Sequence, residues 1–233
     1  MSKFHLSILT ENSLLTNGFG GGGRLGHGSQ DTCLIPTSVK GMAQVAAIAS
    51  GPDHTLALDK EGRVWSWGNN QYGTLGYPCK TLQTIPSEIQ FKKTIVVGIA
   101  CSKYHSVCYT STGSIYTWGT NYGQLGYISS EIPMLPKKKG VEDAIQIQLT
   151  PRRVLSFAQQ VIDQISATNS ATAVLFNKQV HIFCNNSVTR IFFDKYVKSV
   201  KWDARIRAAY PLKLVAGNHQ FATLMSSGDV YMW

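Results

Sequence analysis

The feature that most limits the possible folds is an internal repeat of about 50 residues. Residues 51–77 read GPDHTLALDKEGRVWSWGNNQYGTLGY, and residues 102–127 read SKYHSVCYTSTGSIYTWGTNYGQLGY. His54 returns as His105, 51 residues later. A fixed period of this length is typical of repeat architectures, in which each unit buries its apolar faces against its neighbours.

Two further copies are partial and flank this pair. Residues 18–20 (Gly-Phe-Gly) align with residues 66–68 (Ser-Trp-Gly). Residues 216–219 and 227–233 repeat the stretch from histidine to tryptophan with one extra residue, which places His219 at the histidine position. The repeat therefore extends over most of the chain.

A fourth copy is the most divergent one. Residues 166–186 align without gaps on residues 50–70, which places Ser170 at the histidine position and Phe183 at the tryptophan position. Successive histidine positions from His54 onward are then separated by 51, 65 and 49 residues. The long spacing predicts an insertion of about 14 residues between the third and fourth copies.

One repeat has the pattern of a β-hairpin followed by a glycine-rich loop. Residues 55–58 are a short apolar run, Gly62 is a turn signal, and residues 63–67 alternate bulky and small side chains. A four-stranded unit of this size cannot bury both of its faces alone, and radial stacking into a β-propeller would bury them. A linear solenoid is the competing architecture, but the W-x-W hairpin favours blades, because large rings fill the wedge between sheets.

The motif His-Ser/Thr-Leu-Ala-Leu, Asp/Glu-Gly, Val-Trp-x-Trp-Gly and Gln-Leu-Gly resembles the regulator of chromosome condensation repeat. The resemblance covers about residues 14–135 and 165–233. It implies an all-β fold and a seven-bladed propeller. Because 233 residues hold about four blades, we expect a part of such a propeller and a chain that is a fragment of a longer protein.

The predicted domain organisation is one partial propeller over residues 1–233. Its units are predicted at about 14–62, 63–113, 114–178 with an insertion at 128–164, 179–228, and the start of another blade at 229–233.

The composition is consistent with this fold and indicates an acidic partner or a plain basic surface. Charged residues are only 15% and glycines number 21, which favours strands and turns over surface helices. The net charge is +9, from 22 Lys and Arg against 13 Asp and Glu. The five cysteines have no zinc-ligand spacing, and neither a signal peptide nor a long apolar span is visible. We therefore expect a cytoplasmic or nuclear protein.

Two patterns that could indicate chemistry have simpler structural interpretations. Residues 18–23 match the dinucleotide fingerprint G-x-G-x-x-G, but no helix pattern follows and the acidic residue about 20 positions on is absent. His54, His105 and His219 recur once per repeat, so a propeller holds them apart, and we expect each to hydrogen-bond backbone between strands. Asp53 precedes His54, but no partnered nucleophile is apparent. The sequence thus predicts no catalytic residue, no cofactor and no metal site.

The aromatic residues of the hairpins could stack on nucleic-acid bases, but their strand spacing favours a structural role. They are Trp65, Trp67, Tyr116 and Trp118. We expect these side chains to form the core between blades.

The predicted insertion carries the least repetitive chemistry. Its basic residues are candidates for partner binding, against the alternative of a solvated charge run, and they are Lys137, Lys138, Lys139, Arg152 and Arg153. Residues 154–165 have near-helical spacing and could equally be the incoming strand of the fourth blade.

The leading functional interpretation is a non-catalytic protein-interaction propeller. The glycine-rich start and the insertion resemble propellers that accompany ankyrin and BTB domains, in the branch of the inhibitor of Bruton tyrosine kinase. That resemblance implies the substrate-recruiting or scaffold part of a ubiquitin-ligase adaptor, with a ligase component or a substrate as its protein partner. Two alternatives stay open: a guanine-nucleotide exchange factor for a small GTPase, and a chromatin- or DNA-binding propeller.

Overall fold

The described part of the chain folds into antiparallel β-sheets, with one short 3₁₀ turn at Gly21–Gly23. The computed structural model describes residues 4–78, 81–91, 94–127, 146–155, 160–193 and 209–233. These residues form eighteen strands in five sheets, two with three strands and three with four.

Each sheet is one blade, and its strands follow one another in chain order. The first blade contains β1 (His5–Leu9), β2 (Leu14–Gly18) and β3 (Cys33–Ser38). The second contains β4 (Val45–Ser50), β5 (His54–Asp59), β6 (Val64–Asn69) and β7 (Leu82–Ile89). The third contains β8 (Val96–Cys101), β9 (His105–Thr110), β10 (Ile115–Asn121) and β11 (Gln146–Val154). The fourth contains β12 (Ile162–Ala167), β13 (Thr172–Phe176), β14 (Gln179–Cys184) and β15 (Ser187–Ile191). The fifth contains β16 (Pro211–Ala216), β17 (Phe221–Met225) and β18 (Val230–Met232).

The blades are arranged side by side around their innermost strands. Strand β4 contacts β8, β8 contacts β12, and β12 contacts β16, while β1 contacts β4. These strands therefore gather at the centre, and the rest of each sheet extends outward. The predicted all-β propeller is confirmed. The described residues form five blades, two of them with three strands, where about four blades and the start of another were predicted.

The core lies between consecutive blades, where the large rings are buried. Trp67 packs between the first and second blades with Leu14 and Val39. Trp118 takes the same place between the second and third blades, and both indoles are 0% exposed. Trp65 and Tyr116 are half-buried against the same clusters. The expectation that these aromatic residues form the core between blades is confirmed for Trp67 and Trp118. It is only partly met by the two half-buried residues.

The glycine that follows Trp67 and Trp118 is required by the hairpin geometry. Gly68 and Gly119 have φ values of +114° and +112°. A Cβ on Gly119 would lie 2.4 Å from the carbonyl oxygen of Tyr104 on the paired strand. The hairpin therefore has no room for a side chain at this glycine position.

The outer strand of each of the first three blades carries a proline at the same place. Pro36, Pro86 and Pro151 all lie within a register shift, where the outer strand bulges opposite the glycine of the hairpin. An outer strand tolerates proline because its far side has no ladder bonds to lose. This equivalence places residues 146–154 in the third blade as its fourth strand, inside the range 128–164 predicted as an insertion. Residues 162–165 belong to β12, so the incoming-strand alternative is correct for them.

The hydrogen-bond register corrects three of the sequence alignments. In the first blade, His5 lies opposite Gly18 as His54 lies opposite Gly68, so His5 holds the histidine position that the alignment missed. Asn17 therefore takes the tryptophan position of that blade, one residue before Gly18. The alignment that placed Phe19 there was wrong.

The histidine positions of the last two blades are also displaced by one residue. In the fourth blade Ala171, not Ser170, occupies it, because a two-residue turn at Asn177 and Lys178 shortens the hairpin. In the fifth blade the position belongs to Gln220, since the Gly217 amide donates to the Gln220 carbonyl as Gly51 donates to His54. No extra residue is then needed in the last copy.

Candidate interaction surface

A repeated polar relay joins each of the first three blades to the next one. Between the second and third blades, Nε2 of His54 lies 2.9 Å from Oγ of Ser106, and that hydroxyl donates to the carbonyl oxygen of Thr74 at 2.8 Å. Nε1 of Trp118 donates to the same carbonyl at 2.7 Å. Because the hydroxyl proton is already used, His54 must be the donor through Nε2.

The other two interfaces use equivalent residues. The relay runs from His5 to the hydroxyl of Thr55 and the carbonyl of Arg24, with Trp67 donating to that carbonyl. It runs again from His105 to the hydroxyl of Thr172 and the carbonyl of Gln124, where Phe183 replaces the indole and has no ring N–H to donate.

Burial keeps these histidines neutral. Desolvation lowers the pKa of His5 to about 4 and the pKa values of His54 and His105 to about 3. Each ring lies in a different interface and is committed to its relay. Their role is structural, as expected, but Nε2 of each ring bonds a hydroxyl of the next blade rather than the backbone. Nδ1 of His105 also lies 2.8 Å from Oγ of Ser102 in its own blade. His219 is exposed and belongs to no relay.

The interface between the fourth and fifth blades is held differently, since Ala171 cannot donate. The side chain of Gln164 bridges to the next blade instead. Its Nε2 donates to the Leu214 carbonyl at 2.6 Å, and its Oε1 accepts from the Leu214 amide at 2.8 Å. This Gln164 clamp contains no titratable group.

The remaining sequence candidates do not come together. Asp53 forms an ion pair with Arg24 at 3.1 Å, whereas His54 bonds Ser106 in the relay, so the two residues do not form a catalytic pair. Residues 21–23 form one short 3₁₀ turn, so the strand–loop–helix of a dinucleotide site is not built there. Arg152 lies 5.1 Å over the ring of Tyr127.

The basic candidates divide between the outer edge of the third blade and a segment that is not described. Arg153 is an exposed residue of β11, paired with Tyr116, and Arg152 precedes it on the same strand. Lys137, Lys138 and Lys139 lie outside the described residues. Their role in partner binding stays a prediction.

One end of the blades carries an open cavity of about 830 Å³ near the centre. It is lined by the loops that join the first two strands of successive blades. The lining residues are Phe4, Ser50, Gly51, Pro52, Asp53, Cys101, Ser102, Lys103, Ala167, Asn169, Ala216, Gly217 and Asn218. Cavities of this size are common in ligand-binding proteins.

A cluster of three tyrosines and one lysine lies beside this cavity, and we call it the tyrosine–lysine cluster: Tyr72, Lys103, Tyr104 and Tyr122. The ring of Tyr104 is 4.9 Å from the ring of Tyr72 and 4.9 Å from that of Tyr122, both edge to face. Nζ of Lys103 lies 4.9 Å from the Tyr104 ring centroid and 5.9 Å from that of Tyr72. Two blades thus contribute to one surface.

The backbone beneath these rings is fixed by hydrogen bonds. The carbonyl of Tyr72 accepts from Oγ1 of Thr120 at 3.0 Å, which ties the second blade to the third. The amide of Tyr122 donates to Oε1 of Gln124 at 2.6 Å. The cluster is therefore presented by an ordered scaffold, although Tyr122 itself is 45% exposed.

The cluster has a single formal charge, and that charge is positive. A hydrogen bond to Tyr104 raises the pKa of Lys103, and burial raises the pKa of Tyr122, so the Lys103 ammonium and the Tyr122 phenol keep their protons. Within the described ranges, no carboxylate lies within 4.0 Å of Lys103, and the nearby Asp53 is engaged by Arg24. The surface therefore offers hydrogen-bond donors and a cation without an ion-pair partner.

Sequence reasoning missed this cluster. One signal was available, since Tyr72 and Tyr122 recur 50 residues apart in the loops that precede each Leu-Gly. Which rings meet depends on how one blade is rotated against the next, and the sequence does not give that angle.

Comparison with known proteins agrees with the geometry. The profile of the Regulator of chromosome condensation (RCC1) repeat matches residues 11–58 and 61–109, and a second profile of this repeat matches residues 45–74 and 96–124. The chain belongs to the RCC1 repeat family.

Among the described residues, no helix is long and apolar enough to cross a membrane.

Two relatives are similar in sequence over different shares of the chain. The BTB/POZ domain-containing protein 1 of Schizosaccharomyces pombe is 31% identical over 99% of this chain, which spans 17% of that protein. The human Inhibitor of Bruton tyrosine kinase is 37% identical over 54% of this chain and 10% of its own length. The chain thus corresponds to a small part of the relatives it matches.

A solved structure shares the fold. The crystal structure of Prp20p from Saccharomyces cerevisiae, described together with its binding properties to Gsp1p and histones, superimposes with a TM-score of 0.70. The match covers 97% of this chain and 54% of Prp20p at 23% sequence identity.

Proposed function

We propose that this propeller is a non-catalytic protein-interaction module that acts as the substrate-recruiting or scaffold part of a ubiquitin-ligase adaptor, in the branch of the inhibitor of Bruton tyrosine kinase. The observation that carries the proposal is the division of polar groups. The histidines and hydroxyls of the relay are buried and bonded, whereas in the tyrosine–lysine cluster Tyr122 is exposed and the other three side chains are half-buried. Tyrosines on an ordered scaffold are typical of protein-binding hot spots.

The comparisons support the adaptor role through the relatives' names. The S. pombe relative, which aligns with 99% of this chain, is a BTB/POZ domain-containing protein. The resemblance to the branch of the inhibitor of Bruton tyrosine kinase implies that such BTB proteins recruit substrates to cullin ubiquitin ligases. The site of action would be the cytoplasm or the nucleus, and Lys137, Lys138, Lys139, Arg152 and Arg153 would provide a second contact to the partner.

Affinity purification of the tagged full-length protein tests the adaptor role. We expect a cullin to be recovered with it, and proteins that bind the propeller to become ubiquitylated in its presence. A purification that repeatedly lacks every cullin would refute the adaptor role.

Guanine-nucleotide exchange is the second candidate, because Prp20p has the same fold and is described as binding Gsp1p. A nucleotide-release assay with a panel of small GTPases tests it. Accelerated release would favour exchange over the adaptor role. Chromatin or DNA binding is the third candidate and has the +9 charge in its favour. It predicts an affinity for DNA that falls steeply with salt.

A further inference from the structure

We propose that the tyrosine–lysine cluster is the recognition site for an acidic segment of the partner protein, with a partner carboxylate bound at Lys103. The proposal rests on the proposed protein-interaction function and names the chemistry of the partner.

The charge of the site determines which group it accepts. Nζ of Lys103 lies over two aromatic rings, which hold it in place without neutralising it. No described carboxylate pairs with it, so its ammonium group is available to a carboxylate of the partner. The net charge of +9 adds a long-range attraction for an acidic partner.

The hydroxyl groups reinforce the same preference. Tyr122 is 45% exposed, so its phenol can donate to an incoming oxygen. A carboxylate accepts several such donors at once, and hydrogen bonds to an ionised acceptor are stronger than neutral ones. A basic or neutral segment would leave Lys103 without a counter-charge.

The ring geometry favours a peptide over nucleic-acid bases. Bases bind by stacking on open ring faces. Tyr104 is flanked by edge-to-face contacts with Tyr72 and Tyr122, at interplanar angles of 84° and 71°. Lys103 lies over the Tyr104 ring as well. The Tyr104 ring therefore has a cation over one face and two neighbouring rings in contact, which leaves less room for a stacked base.

The cavity gives the segment a place to continue. Lys103 contributes both to the cluster and to the lining of the 830 Å³ cavity. Asn169 and Asn218 line the same cavity. Oδ1 of Asn169 accepts from the Lys103 amide at 3.3 Å, and the side-chain NH2 groups of both residues can donate to a peptide carbonyl. An extended segment can thus anchor its acidic residue at Lys103 and follow the loops toward the centre.

A matched pair of charge reversals tests this inference on the full-length protein. Lys103→Glu is compared with Lys178→Glu, because Nζ of Lys178 also lies over a tyrosine ring, 4.0 Å from the centroid of Tyr210, on the fourth blade. Both changes alter the net charge equally. The probe is a random library of 12-residue peptides displayed on phage. Selected peptides are then synthesised, and their affinities are measured by fluorescence anisotropy.

We expect the wild-type protein and the Lys178→Glu variant to enrich peptides that contain Asp or Glu, with affinities within twofold of each other. Lys103→Glu should lose that enrichment and bind the selected peptides at least tenfold more weakly. Lys103→Met, which keeps the aliphatic stem over the rings, should weaken binding without changing the melting temperature.

Three outcomes would overturn the inference: no enrichment of acidic residues, equal losses from the two charge reversals, or binding of a 15-nucleotide thymidine oligomer that depends on Lys103 while peptides do not bind. The adaptor role fails separately. Acidic peptides that bind through Lys103 without any recovered cullin would keep the inference and refute the adaptor role. Recovery of a cullin, together with peptide selection that shows no preference for acidic residues, would support the adaptor role and refute the inference.

Discussion

Acidification should destabilise this propeller well above the pH at which its carboxylates titrate. His5, His54 and His105 are neutral in the folded state, with pKa values of about 4, 3 and 3. In the unfolded chain a histidine has a pKa of about 6.5. Below that pH the unfolded state binds more protons than the folded state, so stability falls as the pH falls. Above about pH 6.5 these groups have no effect.

The magnitude follows from proton counting. Each histidine lowers the free energy of unfolding by about 1.4 kcal/mol per pH unit between its two pKa values. Three of them give a slope of roughly 4 kcal/mol per unit, or about 6 kcal/mol in total between pH 8 and pH 5. A typical domain has only about 5–15 kcal/mol in total. Half-exposed His181, whose pKa burial also lowers, adds a smaller contribution in the same direction.

The assay is urea unfolding at a series of pH values from 8 to 5, monitored by the fluorescence emission of the buried indoles. A plateau above pH 6.5 and a slope of about three protons below it are expected. His105→Gln should remove about one proton from that slope, while His219→Gln, at an exposed position, should leave it unchanged. Stability that is flat down to pH 5, or equal slopes in both variants, would refute the buried-relay account.

Two further predictions concern packing between blades. Trp118→Phe should cost about 1–3 kcal/mol, because it removes the donor to the Thr74 carbonyl and leaves a small void; urea midpoints measure this loss, and an unchanged midpoint would contradict it. Gly126→Ala should cost about 1–3 kcal/mol more than Gly41→Ala, since both glycines have φ near +78° but only the Gly126 Cβ meets another group, the Phe183 ring at 2.6 Å; equal costs would show that backbone strain alone acts.

The sequence was sufficient for the fold because the decisive signal is periodic. Trp67 and Trp118 recur at one interval, and a ring that returns once per unit is buried wherever units stack alike. The alignment failed where a blade departs from the pattern. His5 was missed because Asn17 stands in place of a tryptophan, and Ala171 was misplaced because its hairpin turn is one residue shorter.

The candidate site was far less predictable, because it is made by contacts between blades. Tyr72 and Tyr104 meet at 4.9 Å although they belong to loops of different blades. Nothing in the local pattern around Lys103 distinguishes it from a lysine on an ordinary charged surface. Its aromatic surroundings arise only when the blades are rotated into place.

The Gln164 clamp has a consequence for the order in which the propeller comes apart. Protonation weakens the three interfaces that contain histidine, but it leaves the interface between the fourth and fifth blades unchanged, since an amide does not titrate in this range. Mild acid should therefore release an intermediate in which these two blades remain attached to each other while the preceding ones have separated. Hydrogen exchange at pH 5 would detect it as protection that survives at Leu214 after it is lost at Ser106.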